Sequence, residues 1–390
     1  MSTVAAAYPF VSVAIDTSAL QPVAQRSPGV IAVAGASTTG SAPVGAPTVV
    51  ETSADVAAAF GATSALGGAL TLALLQDPKP SKVYGIKSGG GATATAAAEL
   101  QAALDTLLAI DDIDFVSLAA VSDPALLLAL KQHVEQASAA GNKRIGVAMV
   151  DPAKAKSPSY AADVVDLLHP SGNGPDLLSS VGRMVIVAAR GARADDGSVP
   201  DVASAAMSAI AGHAPSTSIV LKRVRGFSIP AGARYTSTEI KALSEACIVP
   251  LIQPALLVGG GIVFGEGRTF TSDAGLLYVD IVRTLDDIDF RLKAGLIGLV
   301  GDVRVTRSGL TATKLAVEGI LGPLQRAAVI EAFDVQIPVL DILAKPDATR
   351  TAADNNTVVT ARANRAVDLY VSITYGPAVH TLRVMLKPKF

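Results

Sequence analysis

The sequence predicts an α/β (α+β) protein of more than one domain, with mixed β-sheets flanked by helices and an extended strand arm at each terminus. Three observations predict it. From residue 28 to about 240, apolar β-branched runs alternate with stretches of helical length, the pattern of a mostly parallel sheet covered on both faces. The closing stretch VDLYVSITYGPAVHTLRVMLKPKF holds two runs of period-two alternation: Val367, Leu369, Val371, Ile373 and Tyr375 share a face of the first, and Leu382, Val384 and Leu386 share a face of the second. The opening run YPFVSVAI, with Tyr8, Phe10, Val11, Val13 and Ile15, is strand-like too, and the turn-rich DTSALQPVAQRSPG sets it apart from the rest of the chain.

Along the chain, GVIAVAGAS is a buried strand and SADVAAAFG a short helix, with Ser53 as its cap and Gly61 as its stop. ALGGALTLALLQ is helical, KVYGIKS a strand and ATAAAELQAALDTLLAI an amphipathic helix. The strand DFVSLAAV, the helix DPALLLALKQHVEQASAAGN with Pro124 in its first turn, and the strand RIGVAMVD come next. Residues 155–180 are looser, with several Pro, Gly and Ser. RMVIVAARGA and SIVLKRVRG are strands around the helical PDVASAAMSAIAGH. Near 235–250 the texture changes: STEIKALSEACI is a helix, LLVGGGIVFGEGRTFTS is glycine-rich, and LLYVDIVRTLDDIDFRLKAGLIGLVG and ATKLAVEGILGPLQRAAVI are helices. FDVQIPVLD, VDLYVSITYG and HTLRVMLK close the chain as strands. The expected division is an N-terminal arm and linker (1–27), an α/β domain (28–240), a C-terminal domain (241–378) and a C-terminal strand arm (379–390).

Composition narrows the functional classes. Of the 390 residues half are hydrophobic and 17% charged, which is a folded chain rather than a disordered one. Its positive mean hydropathy fits a large buried fraction or apolar surface hidden in an assembly. A formal charge of −2, with aromatics at 4% and no Trp, argues against a nucleic-acid partner. The single Cys247 excludes an internal disulfide and suits a reducing cytosol. The first residues lack the basic start of a secretory signal. CIVPLIQPALLVGGGIVFG, the nearest approach to a membrane helix, is broken by two prolines and three glycines.

Candidate chemistry is sparse. Gly35 and Gly40 in GVIAVAGASTTGSA have phosphate-loop spacing, but Ser41 and Ala42 stand where the motif needs Lys and Ser or Thr, so a strand-to-loop turn is the expected reading. GGGIVFGEG lacks the context of a dinucleotide fingerprint. His133, His169, His213 and His380 are scattered without metal-type pairing, and His133 is expected at the surface. Cys247 reads as a small buried hydrophobe. Asp-Asp-Ile-Asp-Phe occurs twice, at 111–115 and 286–290, without an EF-hand's glycine and distal glutamate. Two solvated turns are the expected reading, and their identity a coincidence. No catalytic, cofactor-binding or metal residue is predicted.

SPGVIAVAGASTTGSAPVGAPTVVETSADVAAAFG is similar to the opening of contractile phage tail sheath proteins, in which a strand, a Gly-Pro-rich loop, a short strand, a Ser-led helix and Phe-Gly follow in turn. The resemblance runs on through ALGGALTLALLQ, KVYGIKS and AELQAALDTLLAIDDIDFVSLAAV, and returns in SIPAG, EIKALSEACIVPLI, FGEGRTFT and the closing strands. Pro28-Gly29-Val30 falls later than the family's opening Pro-Gly-Val, and the chain is short, like the compact sheaths of R-type bacteriocins and contractile injection systems.

The resemblance implies a sheath subunit, an outer domain over 28–240 and an inner one over 241–378. It implies a helical homo-oligomer around an inner tail tube protein, with baseplate and tail terminator proteins as further partners. No cofactor, nucleic acid or direct membrane insertion is implied. The arms, through Tyr8, Phe10, Val11, Val13 and Ile15 and through Leu382, Val384 and Leu386, would add strands to neighbouring subunits. Such a subunit is made in the cytoplasm of a bacterial host and ends in a virion tail or related particle. The rival readings are an α/β enzyme with a non-local active site, and a module that docks one partner through its terminal strands.

Overall fold

The computed structural model describes residues 29–89, 96–254 and 260–380. It begins with β1 (Val30–Ala36), β2 (Thr48–Val50), α1 (Ser53–Phe60), α2 (Ala65–Leu74) and β3 (Lys82–Gly89). All of β1 except Ala36 is buried, which is why it reads as one apolar run rather than an alternation. The cap of α1 is Thr52, one residue before the expected Ser53. Its hydroxyl accepts from the Asp55 N–H while the Asp55 side chain accepts from the Thr52 N–H, a reciprocal arrangement that only this register allows. The expected stop at Gly61 is found, at a φ of +75°.

Next come α3 (Ala96–Leu107), β4 (Phe115–Leu118), α4 (Pro124–Ala139), β5 (Ile145–Met149), α5 (Tyr160–Leu168), β6 (Met184–Ala188) and α6 (Val202–Ala211). A two-residue β7 (Arg223–Val224) is all that forms of the strand expected in SIVLKRVRG, because Leu221 takes a left-handed φ of +60°. Then come α7 (Ser237–Glu245), β8 (Val249–Ile252) and β9 (Ile262–Phe264).

These strands form one sheet in the order β2-β3-β1-β4-β5-β6-β8-β9-β7. The six from β3 to β8 are parallel; β2 at one edge and β9 and β7 at the other run antiparallel to their neighbours. The sheet thus continues past the composition change near 240. One face packs against α1, α2 and α6 through residues such as Ile31, Val33, Phe60, Leu70 and Ile210. The other packs against α3, α4, α5 and α7 through Ala32, Ile86, Leu104, Val134 and Leu243. α6 is buried along its whole length, which accounts for its run of Ala and Ser. Ser204 Oγ meets Ser117 Oγ at 2.8 Å, and the capping Asp201 accepts from the N–H groups of Ser204 and Ala120.

After the sheet come α8 (Val279–Leu296), α9 (Arg307–Arg326), β10 (Ile330–Gln336), α10 (Pro338–Ala344), α11 (Ala352–Asn364) and β11 (Tyr370–Tyr375). FDVQIPVLD is therefore not one strand: Pro338 stands at the first turn of a helix, where its missing N–H costs nothing. β10 and β11 make a separate two-stranded sheet. The described residues divide into two compact units, 29–290 with 324–334 and 372–380, and 291–323 with 335–371. The second has its own small core of Leu310, Ile337, Val339, Leu343, Val358 and Ala361.

Buried charges join distant elements of the larger unit. Arg190 lies over the rings of Tyr160 and Tyr235, 4.5 and 4.7 Å from their centres, and pairs with Glu239 at 2.6 Å. The hydrogen bond from Arg190 holds the Glu239 carboxyl down at about 2. His133 is buried, not at the surface as expected, with Nε2 2.9 Å from Arg144 Nη1. Burial, reinforced by the Arg144 charge, pushes its pKa down to about 4.

Acid should loosen the fold in two windows. The neutral His133 contributes stability that is full above its ordinary value of 6.5 and is lost as pH falls through about 4. The Glu239 contribution, full above 4.5, is lost as pH falls towards about 2. In urea titrations at a series of pH values, His133→Gln should flatten the first window and leave the second in place.

Candidate functional site

The two points where the terminal segments meet the described body are both tied to the first turns of α8. At the N-terminal point, the N–H groups of Gly29 and Val30 donate to Asp114 Oδ2 at 3.2 and 2.9 Å, and the Asp114 N–H donates back to the Val30 carbonyl at 2.9 Å. Gly29 has a φ of +86°, and a Cβ there would stand 2.1 Å from the Ala211 carbonyl oxygen, so the position requires glycine. Next to Asp114, the Phe115 ring lies under the guanidinium of Arg283 on α8, 5.3 Å from its centre. Arg283 donates to the carbonyls of Ile210 and His213 at 3.1 and 2.7 Å, satisfying the end of α6. Burial pushes the Arg283 pKa down to about 10, against the opposing pull of Asp114 and three aspartates of α8. A cavity of about 30 Å³ lies between Gly29, Asp114, Phe115, Arg283, Asp286 and Asp287.

At the C-terminal point, Tyr375 Oη donates to the buried carboxylate of Asp280, 2.9 Å away and one turn before Arg283. Burial first, and then that carboxylate, push the phenol pKa up. Five residues later His380 Nε2 lies 2.9 Å from Ser218 Oγ, with its ring edge-on to Tyr278 at 5.2 Å. FGEGRTFT positions these groups. The Val279 N–H donates to the Gly267 carbonyl at 3.0 Å, Arg268 lies over the Tyr278 ring and donates to the Ser244 carbonyl, and Glu266 stands 3.9 Å from His380 Nδ1.

The two Asp-Asp-Ile-Asp-Phe copies are not solvated turns. In the first, Asp114 is the acceptor just described and Phe115 is buried in β4. The second lies within α8, where Asp286 holds Arg183 in a buried two-pronged pair at 2.5 and 2.9 Å. Both copies line the same cavity. Sequence reasoning missed Asp114, Asp280, Arg283, Ser218 and Tyr375 as anchors, and the repeated pentapeptide was the signal that pointed to two of these neighbourhoods. At the loop after β1, Lys87 Nζ donates to the carbonyls of Thr39 and Gly40 at 2.9 and 3.3 Å, so the loop presents acceptors to a lysine of its own body. Cys247 is half-buried against the second face of the sheet.

The predicted arm residues Tyr8, Phe10, Val11, Val13, Ile15, Leu382, Val384 and Leu386 lie outside the described residues. What is described is the β10–β11 sheet near the C-terminal point. Ser372 and Thr374 of β11 are exposed while Val371, Ile373 and Tyr375 are half-buried. On β10, Ala332, Asp334 and Gln336 are exposed, whereas Phe333 is half-buried and Val335 buried.

No protein-family model matches the sequence, and no curated protein matches it. Solved structures do. A chain from the helical sheath of the anti-feeding prophage, in its contracted state, has a TM-score of 0.67 at 14% identity, over 98% of this chain and 99% of that one. A chain from the baseplate of the same prophage has a TM-score of 0.67 at 13% identity, over 99% and 100%. One from the contracted PVC sheath complex of an extracellular contractile injection system has 0.68 at 11% identity, over 99% and 98%. The chain has the fold of contractile sheath proteins. The fold expected from the sequence is thus found along essentially the full length, at identities where only the arrangement of elements is shared.

Asp114→Ala removes the acceptor for two N–H groups at the N-terminal point and should lower the unfolding free energy by about 1.5–3 kcal/mol. A fall in the urea midpoint without a change of slope checks it.

Proposed function

We propose that the chain is a structural, non-catalytic subunit of a contractile tail sheath. It polymerises around an inner tail tube by donating terminal strands to neighbouring copies, and contracts to drive the tube through a target envelope. The observation that carries this reading is the fold likeness to a contracted helical sheath over 98% of the chain. The separate β10–β11 sheet supports it, because a two-stranded sheet is marginal in water by itself and gains from added strands. The strongly displaced groups His133, Glu239 and Arg283 owe their shifts to contacts that join structural elements, which favours a structural use over a catalytic one. By the same reading, 28–240 forms the outer layer and 241–378 the inner layer, which faces the tube. Baseplate and terminator proteins meet the ends of the assembly, which is built in the bacterial cytoplasm and becomes part of a phage tail or related particle.

The energetics of an arm suit assembly on a template. A strand of eight residues gains roughly 4–6 kcal/mol from hydrogen bonds and roughly 6–12 kcal/mol from burying about four apolar side chains. Ordering its backbone costs roughly 8–16 kcal/mol. A single arm is near break-even, and several contacts made together on a growing lattice win through effective concentration. Contraction then needs no nucleotide, since the extended lattice stores the energy at assembly while the arms keep neighbours tethered.

Deleting 1–27 or 379–390 should abolish sedimenting tubes while the circular dichroism of the body stays native. Truncated chains that still form tubes, or a body that unfolds with either deletion, would contradict the proposal.

A further inference from the structure

The β10–β11 sheet has two edges and the chain has two arms, and charge distinguishes them. We infer that the β10 edge takes the C-terminal strand of a second copy, residues 382–389, leaving the β11 edge for the N-terminal arm. The inference rests on the sheath reading and adds to it which arm goes to which edge.

Face and charge both point this way. On β10, Ala332, Asp334 and Gln336 form the exposed face, while Phe333 and Val335 turn towards the interior. Period-two alternation puts Arg383, Met385, Lys387 and Lys389 on one face of the C-terminal run and Leu382, Val384 and Leu386 on the other. Laid beside β10 with the apolar sides matched, this run sets its basic face level with Asp334. An opposite-charge cross-strand pair is favourable there. Glu331, also exposed, adds a second negative charge to β10.

The other pairing is uncharged on both sides. β11 is Tyr-Val-Ser-Ile-Thr-Tyr, with Ser372 and Thr374 on its exposed face. The N-terminal run from Tyr8 to Ile15 carries no charged side chain, and with Val11, Val13 and Ile15 inward it presents Ser12 and Ala14 outward. Exchanging the arms would set a basic strand against a neutral edge and a neutral strand against an acidic one. Charge therefore selects which arm goes where, and main-chain hydrogen bonds supply the affinity.

The test is charge reversal and exchange in the full-length protein, read as the critical concentration for tube assembly. Asp334→Lys should raise it about tenfold or more, since it turns an attractive cross-strand pair into a repulsive one. Adding Arg383→Glu and Lys387→Glu to the same chain should restore assembly. Asp334→Lys with unchanged assembly, or a defect that the exchange does not relieve, overturns the edge assignment. A second measurement separates the arms directly. In a Cys247→Ser background, copies with Asp334→Cys are mixed with copies carrying Arg383→Cys, Lys387→Cys or Ser12→Cys. Disulfide-linked pairs should form with the first two, and linkage to Ser12→Cys instead overturns the assignment. If the wild-type protein forms no tubes with or without a tail tube, it is the sheath reading itself that fails.

Discussion

The described body depends on the charged first turns of α8. Asp280, Arg283 and Asp286 are spaced three residues apart, so they lie near one face of the helix, and each is buried against a different partner. Asp280 takes the phenol of Tyr375, Arg283 closes the end of α6 and covers Phe115, and Asp286 holds Arg183. Buried ions of this kind are costly to expose singly, so each one fixes its partner's position. Through them a single helix specifies where β1 begins and where β11 ends. These are the two places where force on a terminal segment would enter the body.

That arrangement suits a subunit whose termini belong to other copies. Firm roots let an arm carry load without unravelling the sheet behind it. β1 is the most deeply buried strand and lies in the middle of the parallel set, so tension on residues before Gly29 meets the best-packed element of the molecule. β11, by contrast, sits in a small sheet with an exposed face. A core that specifies apolar volume rather than particular residues also explains how the fold is shared at 11–14% identity.

Much of the fold was legible because the parallel strands are buried on both faces and read as uninterrupted apolar runs, from GVIAVAGAS to RMVIVAARGA. Elements that depend on tertiary partners were not. α11 carries few apolar residues in AADNNTVVTARAN, and α5 lies in a stretch that Pro, Gly and Ser make look irregular. α10 was hidden because FDVQIPVLD keeps a strand-like alternation across Pro338. The anchors were hidden for a different reason. Arg183 and Asp286 are 103 residues apart, and Gly29 and Asp114 are 85 apart, so no local pattern shows that they meet. His133 looked like the polar side of an amphipathic helix until Arg144 supplied its partner. The arms were legible only as alternation, which predicts a strand but not what it pairs with.

The most direct measurement is a cryo-EM reconstruction of the full-length protein after mixing with an inner tail tube protein. The expected result is a helical lattice in which a strand from another copy flanks each edge of β10–β11, with the contacts of Asp280, Arg283 and Asp286 intact. A closed dimer, or a monomer whose terminal segments fold back on their own body with the tube present, would contradict it.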